Sequence, residues 1–128
     1  VVSRNVFWNL EHADKAYEEV YRVLKKDGIL ILEDGNYYRR FFSDKYQKAY
    51  DEFQRGHEKE EQGCHARHNK ENVDFSIMDE IAKKLPMSQV DRPAWDFNKL
   101  VETGFHKIQV EIAGSPLPMS FCIVAQKG

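Results

Sequence analysis

Apolar positions along this chain fall into three patterns, and each predicts a kind of element. In DKAYEEVYRVLKKDG, Ala16, Tyr17, Val20, Tyr21 and Leu24 recur at helical spacing, while Glu18, Glu19, Lys25 and Lys26 take the other face. Acidic residues come early, basic ones late, and Gly28 stands where a C-cap belongs, so a helix is predicted over 13–26. Unbroken apolar runs form the next pattern: ILILE at 29–33, closed by Glu33-Asp34-Gly35-Asn36, and Phe121 to Ala125. Such runs suit strands buried on both faces, as where helices cover both sides of a sheet. Alternation is the third. Ile108, Val110 and Ile112 interleave with polar residues and predict a half-exposed strand near an edge.

At the start, β-branched Val1 and Val2 run at once into polar Ser3, Arg4 and Asn5, which reads as the end of a buried strand entering a loop. Strand 1–4, helix 13–26 and strand 29–33 then make one βαβ unit, right-handed by rule. Further on, Ser43 can cap a helix with Tyr46, Ala49, Tyr50 and Phe53 on one stripe. DFSIMDEIAKKLP predicts a short helix with Ile77, Met78, Ile81, Ala82 and Leu85 inward, halted by Pro86. RPAWDFNKLVETGF predicts another, with Phe97, Leu100 and Val101 inward and Gly104 as its terminator. The stretch 114–118 is too short for a crossover, so the last two strands are antiparallel neighbours. The expectation is a single α/β domain over 1–128, with residues 37–74 as a helical, lid-like insertion.

Composition narrows the function classes. The 128 residues are 41% apolar and 31% charged, with net charge −2. That balance leaves no electrostatic footprint for nucleic acid or a membrane surface, and no apolar run reaches the length of a membrane span. Two cysteines, Cys64 and Cys122, are too few for a disulfide framework, so a cytoplasmic protein with reduced thiols is expected. His57, Cys64, His65 and His68 are of zinc-ligating type. They lack a second cysteine pair, however, and their flanks are densely charged. Adjacent Cys64 and His65 would also aim two ligands apart, so they read as an incidental exposed cluster, and no metal is expected.

The words VVSRNVFWNL, YRVLKKDGILIL and KLVETGFHKIQVEI followed by SFCIVAQK, in that order, resemble the C-terminal half of a class I S-adenosylmethionine-dependent methyltransferase. VVSRNVFWNL is similar to the family's fourth strand and following loop. YRVLKKDGILIL is similar to the turn into its fifth strand, and the closing words to its final helix and hairpin. This resemblance implies a partial Rossmann-like sheet of four strands, ordered first, second, fourth, third, with the last antiparallel. It implies S-adenosylmethionine as cofactor against Ser3, Arg4, Asn5 and Val6. A small-molecule acceptor would face Phe7, Trp8, Asn36, Tyr37, Tyr38 and Trp95. Phe7 and Trp8 read equally as packing residues, and Val6 and Trp95 more readily so. Asp34 could act as general base to the acceptor, although turn chemistry in Asp34-Gly35-Asn36 also explains it.

The family's glycine-rich loop is missing, since the sequence contains no G-x-G. The chain is therefore expected to be a half-domain, inactive and without cofactor affinity alone. Strand 1–4 would then be an exposed edge, implying a homodimer through residues 1–6. The alternative is a non-catalytic remnant, or a dimerising or binding module, of the same fold.

Overall fold

β1 (Val2–Arg4) pairs parallel with β2 (Ile29–Gly35), and β4 (Ser120–Lys127) runs antiparallel between β2 and β3 (Phe105–Ala113). The computed structural model, which describes residues 1–58, 76–114 and 117–128, thus holds a four-stranded mixed sheet of order β1-β2-β4-β3. That is the predicted order, with the predicted antiparallel member. Helices α1 (Ala13–Val23), α2 (Asp44–Glu58), α3 (Ser76–Ala82) and α4 (Ala94–Thr103) complete the described elements.

The core lies on one face of the sheet. Leu30 and Leu32 of β2 pair with Ala125 and Ile123 of β4, and all four are fully buried against Tyr17 of α1 and Leu100 of α4. Alternate positions of the same strands face the other way, where Ile29 and Ile31 stay exposed, Ile31 by 41%. Among the described residues no helix covers that face. The expectation of helices on both sides is therefore corrected: an apolar run shows what a strand can tolerate on each face, not what lies opposite it. β1, whose β-branched start reads as buried, is the exposed edge strand expected over 1–4, with Val2 76% exposed.

Helix α1 ends three residues before the predicted stop. Leu24 leaves the helix in an extended conformation, and Asp27 (φ 61°), not Gly28, takes the left-handed turn. The carbonyls left open at this end are met from the far end of the chain: Lys127 Nζ donates to Tyr21 O (2.6 Å) and Leu24 O (2.8 Å). Another correction of boundaries concerns β2. It runs on to Gly35, so Asp34 and Gly35 are paired with Phe121 and Ser120 in the sheet instead of forming a turn.

Helix α2 begins after Ser43, as predicted, with Gln47 N–H bonded to Ser43 O. Tyr46 of its stripe is buried, whereas Phe53 is exposed. In α3 only Ala82 is buried, and Ile77, Met78 and Ile81 lie open, against the inward stripe expected of them. Helix α4 buries Leu100 but leaves Phe97 and Val101 exposed, and it ends as predicted at Gly104, whose φ is 109°.

Gly104 and Gly56 give a test with opposite signs. At Gly104 the backbone is left-handed, and a Cβ would approach the Tyr21 hydroxyl to 3.1 Å. Gly104→Ala is expected to destabilise by roughly 1–2 kcal/mol. Gly56 lies in α2 with nothing within 4 Å of its added Cβ. Gly56→Ala is expected to stabilise by about 0.5–1 kcal/mol. Urea unfolding of both variants checks the pair.

Candidate functional site

At the carboxyl end of β2 the chain carries a buried charge cluster. Arg92 donates from Nε to Asp96 Oδ2 (2.8 Å), from Nη2 to Asp96 Oδ1 (2.7 Å), and from Nη1 to Asp34 Oδ2 (2.9 Å). The Tyr17 hydroxyl donates to Asp96 Oδ1. Arg92, Asp34, Asp96 and Tyr17 all have essentially no solvent access. Asp34 is further held by the N–H groups of Trp8 (2.8 Å) and Gly35 (3.0 Å). Burial raises its pKa above the ordinary carboxylate value, and the Arg92 charge and the bonds to Arg92, Gly35 and Trp8 offset part of that rise. Burial also works against the Arg92 charge. The bonds and field of Asp96, then the fields of Asp34 and Tyr17, outweigh it and hold Arg92 protonated beyond its usual range. Tyr17 is kept neutral first by burial and then by the adjacent Asp96.

Through Asp34 this cluster fixes the loop after β1. With Trp8 N–H tied to Asp34, the indole Nε1 donates to Asn5 O (3.0 Å), and Asn5 N–H donates to Glu33 O (2.9 Å). Asn5 sits in the left-handed region (φ 55°), a conformation its short polar side chain tolerates. Its Oδ1 accepts the Tyr37 hydroxyl. Tyr37 is held neutral by burial and by the nearby carboxylates of Asp34 and Glu33, which keeps it a donor. Its ring lies over Gly35, where a Cβ would meet the ring carbons at 2.8 Å.

These contacts frame a pocket of about 660 Å³ lined by Asn5, Trp8, Tyr37, Tyr38, Arg40, Tyr50 and Asp79. Trp8 meets Tyr37 edge-on (5.8 Å) and lies tilted on Tyr38 (5.4 Å). The Arg40 guanidinium lies over Tyr38 (5.2 Å), Phe41 (4.5 Å) and Tyr50 (4.1 Å), and it pairs with Asp79 at 3.4 Å. The pocket is thus π-rich, with one balanced ion pair in its wall. It stands beyond the carboxyl ends of β1 and β2, where ligands bind in open α/β sheets.

The structure sorts the residues expected from sequence. Asn5, Trp8, Tyr37 and Tyr38 come together at the pocket, joined by Arg40, Tyr50 and Asp79, which no local motif marks. Phe7 is buried 4.7 Å from the Tyr17 ring, and Trp95 packs against the core 6.3 Å from that same ring, so both take the packing role. Asn36 is buried and does not line this pocket. Ser3 is half-buried in β1, Arg4 is exposed and pairs with Glu33 at 3.4 Å, and Val6 is exposed.

Asp34, expected as a candidate general base, is fully buried and anchored by Arg92, Trp8 and Gly35. Both of its oxygens accept bonds from the protein, and neither faces an open site. His57, Cys64, His65 and His68 lie outside the described residues or their side chains. Among the described residues no group of His, Cys, Asp and Glu could hold a metal ion. Sequence reasoning missed Arg92 and Asp96, although their i, i+4 spacing in RPAWD is a readable sign of pairing.

Residues 1–32 match the family model described as a methyltransferase domain, a match that supports a methyltransferase-like function. They cover β1, α1 and the first half of β2. No curated protein matches the chain. Among solved structures it is similar to a possible exported protein from Bordetella parapertussis, with a TM-score of 0.51 and 13% identity. The alignment covers 98% of this chain and 37% of that one, and at this identity the likeness is one of fold. Among the described residues no helix is long and apolar enough to cross a membrane.

Two measurements test the charge cluster. Arg92→Leu leaves two buried carboxylates without their counter-charge and is expected to cost about 3–5 kcal/mol in urea unfolding. The other concerns pH. Because folded Asp34 keeps its proton to higher pH than unfolded Asp34, its contribution is fully present below the unfolded value and lost as pH rises through the folded one. The stability difference between the parent chain and Asp34→Asn should therefore fall with rising pH just above the ordinary carboxylate range. A rise would contradict the assignment.

Proposed function

We propose that this chain supplies the acceptor-binding part of an S-adenosylmethionine-dependent methyltransferase acting on a small molecule. The observation that carries the reading is the coincidence of two features. The methyltransferase-domain match covers β1 and its following loop, and that same loop forms one wall of the aromatic pocket. A sulfonium cofactor supplies an electrophilic methyl group, so the protein's work is to orient an acceptor in line and to keep water away. Trp8, Tyr37 and Tyr38 offer flat walls for that purpose, and the bonds Trp8 to Asn5 and Tyr37 to Asn5 hold two of them at fixed angles.

The residues present do not by themselves fit the whole cofactor. At Asn5 the N–H, the carbonyl and the side-chain oxygen are all engaged within the protein, which leaves Ser3 to Val6 as one wall and not a cradle. The sequence has no G-x-G loop whose backbone donors could form the opposite wall. No step of methyl transfer is therefore assigned to this chain alone.

Isothermal titration with S-adenosylhomocysteine tests the division. The 128-residue chain is expected to give no heat of binding. A chain that also carries a strand and a G-x-G loop ahead of Val1 is expected to bind. Heat from residues 1–128 alone would overturn the division, and an extended chain that still fails to bind would favour a non-catalytic module of the same fold.

A further inference from the structure

Asn36 is 5% exposed, and its Oδ1 is buried without a hydrogen-bond partner among the described residues. Its Nδ2 is fully used, donating to Arg92 O (2.9 Å) and Pro118 O (2.6 Å). Those two donations also fix which end of the amide is oxygen, because both neighbours are acceptors. A buried acceptor left unpaired is costly, and in folded proteins it calls for water or a ligand. A small cavity of about 10 Å³ adjoins Asn36, walled by Trp8, Gly35, Tyr37, Tyr38 and Ser88 among others. Asn36 itself lines this cavity, whereas Arg92 and Pro118, the partners of its Nδ2, do not. Its size suits one water-sized group. Three of its walls, Trp8, Tyr37 and Tyr38, are also walls of the 660 Å³ aromatic pocket.

We infer that the pocket takes a small, neutral, planar aromatic bearing one hydroxyl or amino group, whose hydrogen is accepted by Asn36 Oδ1. The ring would lie against Trp8, Tyr37 and Tyr38, with its donor filling the small cavity. Neutrality follows from the surroundings. Arg40 and Asp79 neutralise each other in the pocket wall, so neither a cation nor an anion meets a net opposite charge there. A donor is required because the carboxamide oxygen can only accept. Calling this ligand the methyl acceptor rests on the function proposed above; the binding claim does not, since it needs no cofactor.

The test is an NMR titration of the 15N-labelled 128-residue chain with phenol and, separately, with fluorobenzene, which has nearly the same shape but no O–H. Phenol is expected to shift the Trp8 indole and Asn36 side-chain amide signals and to bind about tenfold tighter than fluorobenzene. Fluorobenzene is the more apolar ring, so simple partitioning would give the opposite order. Equal affinities, or tighter fluorobenzene, would overturn the inference and leave Asn36 served by an ordered water only. Shifts confined to other residues would overturn it as well. Asn36→Leu should bring phenol down to the fluorobenzene level. If that variant fails to fold for want of the Nδ2 bonds, the probe pair on the parent chain still decides. Loss of phenol binding would count against this inference alone, whereas the S-adenosylhomocysteine titration judges the methyltransferase reading.

Discussion

Arg92 joins three parts of the chain that are far apart in sequence: the end of β2 through Asp34, the first turn of α4 through Asp96, and α1 through the Tyr17 hydroxyl that shares Asp96. One guanidinium facing two carboxylates leaves an excess of negative charge in a dry place. The excess is tolerated because every oxygen in the cluster also receives a neutral donor or an arm of the guanidinium. The desolvation cost of such a cluster is large, so each member depends on all the others being present.

The loop after β1 inherits its geometry from that cluster. Asp34 holds the Trp8 backbone, Trp8 holds Asn5 through the indole, and Asn5 receives Tyr37, whose ring depends on the missing side chain of Gly35. Charge in the interior is thereby converted into the position of aromatic walls at the surface. Asn36 belongs to the same construction, since its Nδ2 secures the carbonyl of Arg92 itself. The pocket and the core are consequently one mechanical unit at this end of the sheet. The opposite face, with Ile29 and Ile31 open, takes no part in it.

Much of the fold was legible in the sequence. The β1–β2 pair followed from the βαβ spacing and the β3–β4 pair from a closing connection too short to cross the sheet, whereas β4 beside β2 was what the resemblance implied. Gly104 marked the end of α4 because a left-handed residue was needed there. The site was legible in part. Trp8, Tyr37 and Tyr38 lie next to strand ends, and local sequence places them correctly. Arg40, Tyr50 and Asp79 arrive from other elements and leave no local trace. Phe7 and Trp95 show the limit from the other side: an aromatic residue near a strand or helix end reads the same whether it points into a pocket or into Tyr17.

By itself the sequence determined which segments become strands and helices, because hydrophobic period and turn chemistry act over a few residues. It also determined that the chain carries no G-x-G loop. Only the tertiary structure decided which face of an apolar strand is covered, and that Asp34 is buried and anchored by Arg92, Trp8 and Gly35. Arg92 meets Asp34 across 58 residues, and Tyr17 meets Asp96 across 79. Such pairings have no periodicity to betray them, and they exist only once burial has removed the water that would otherwise compete for each charge.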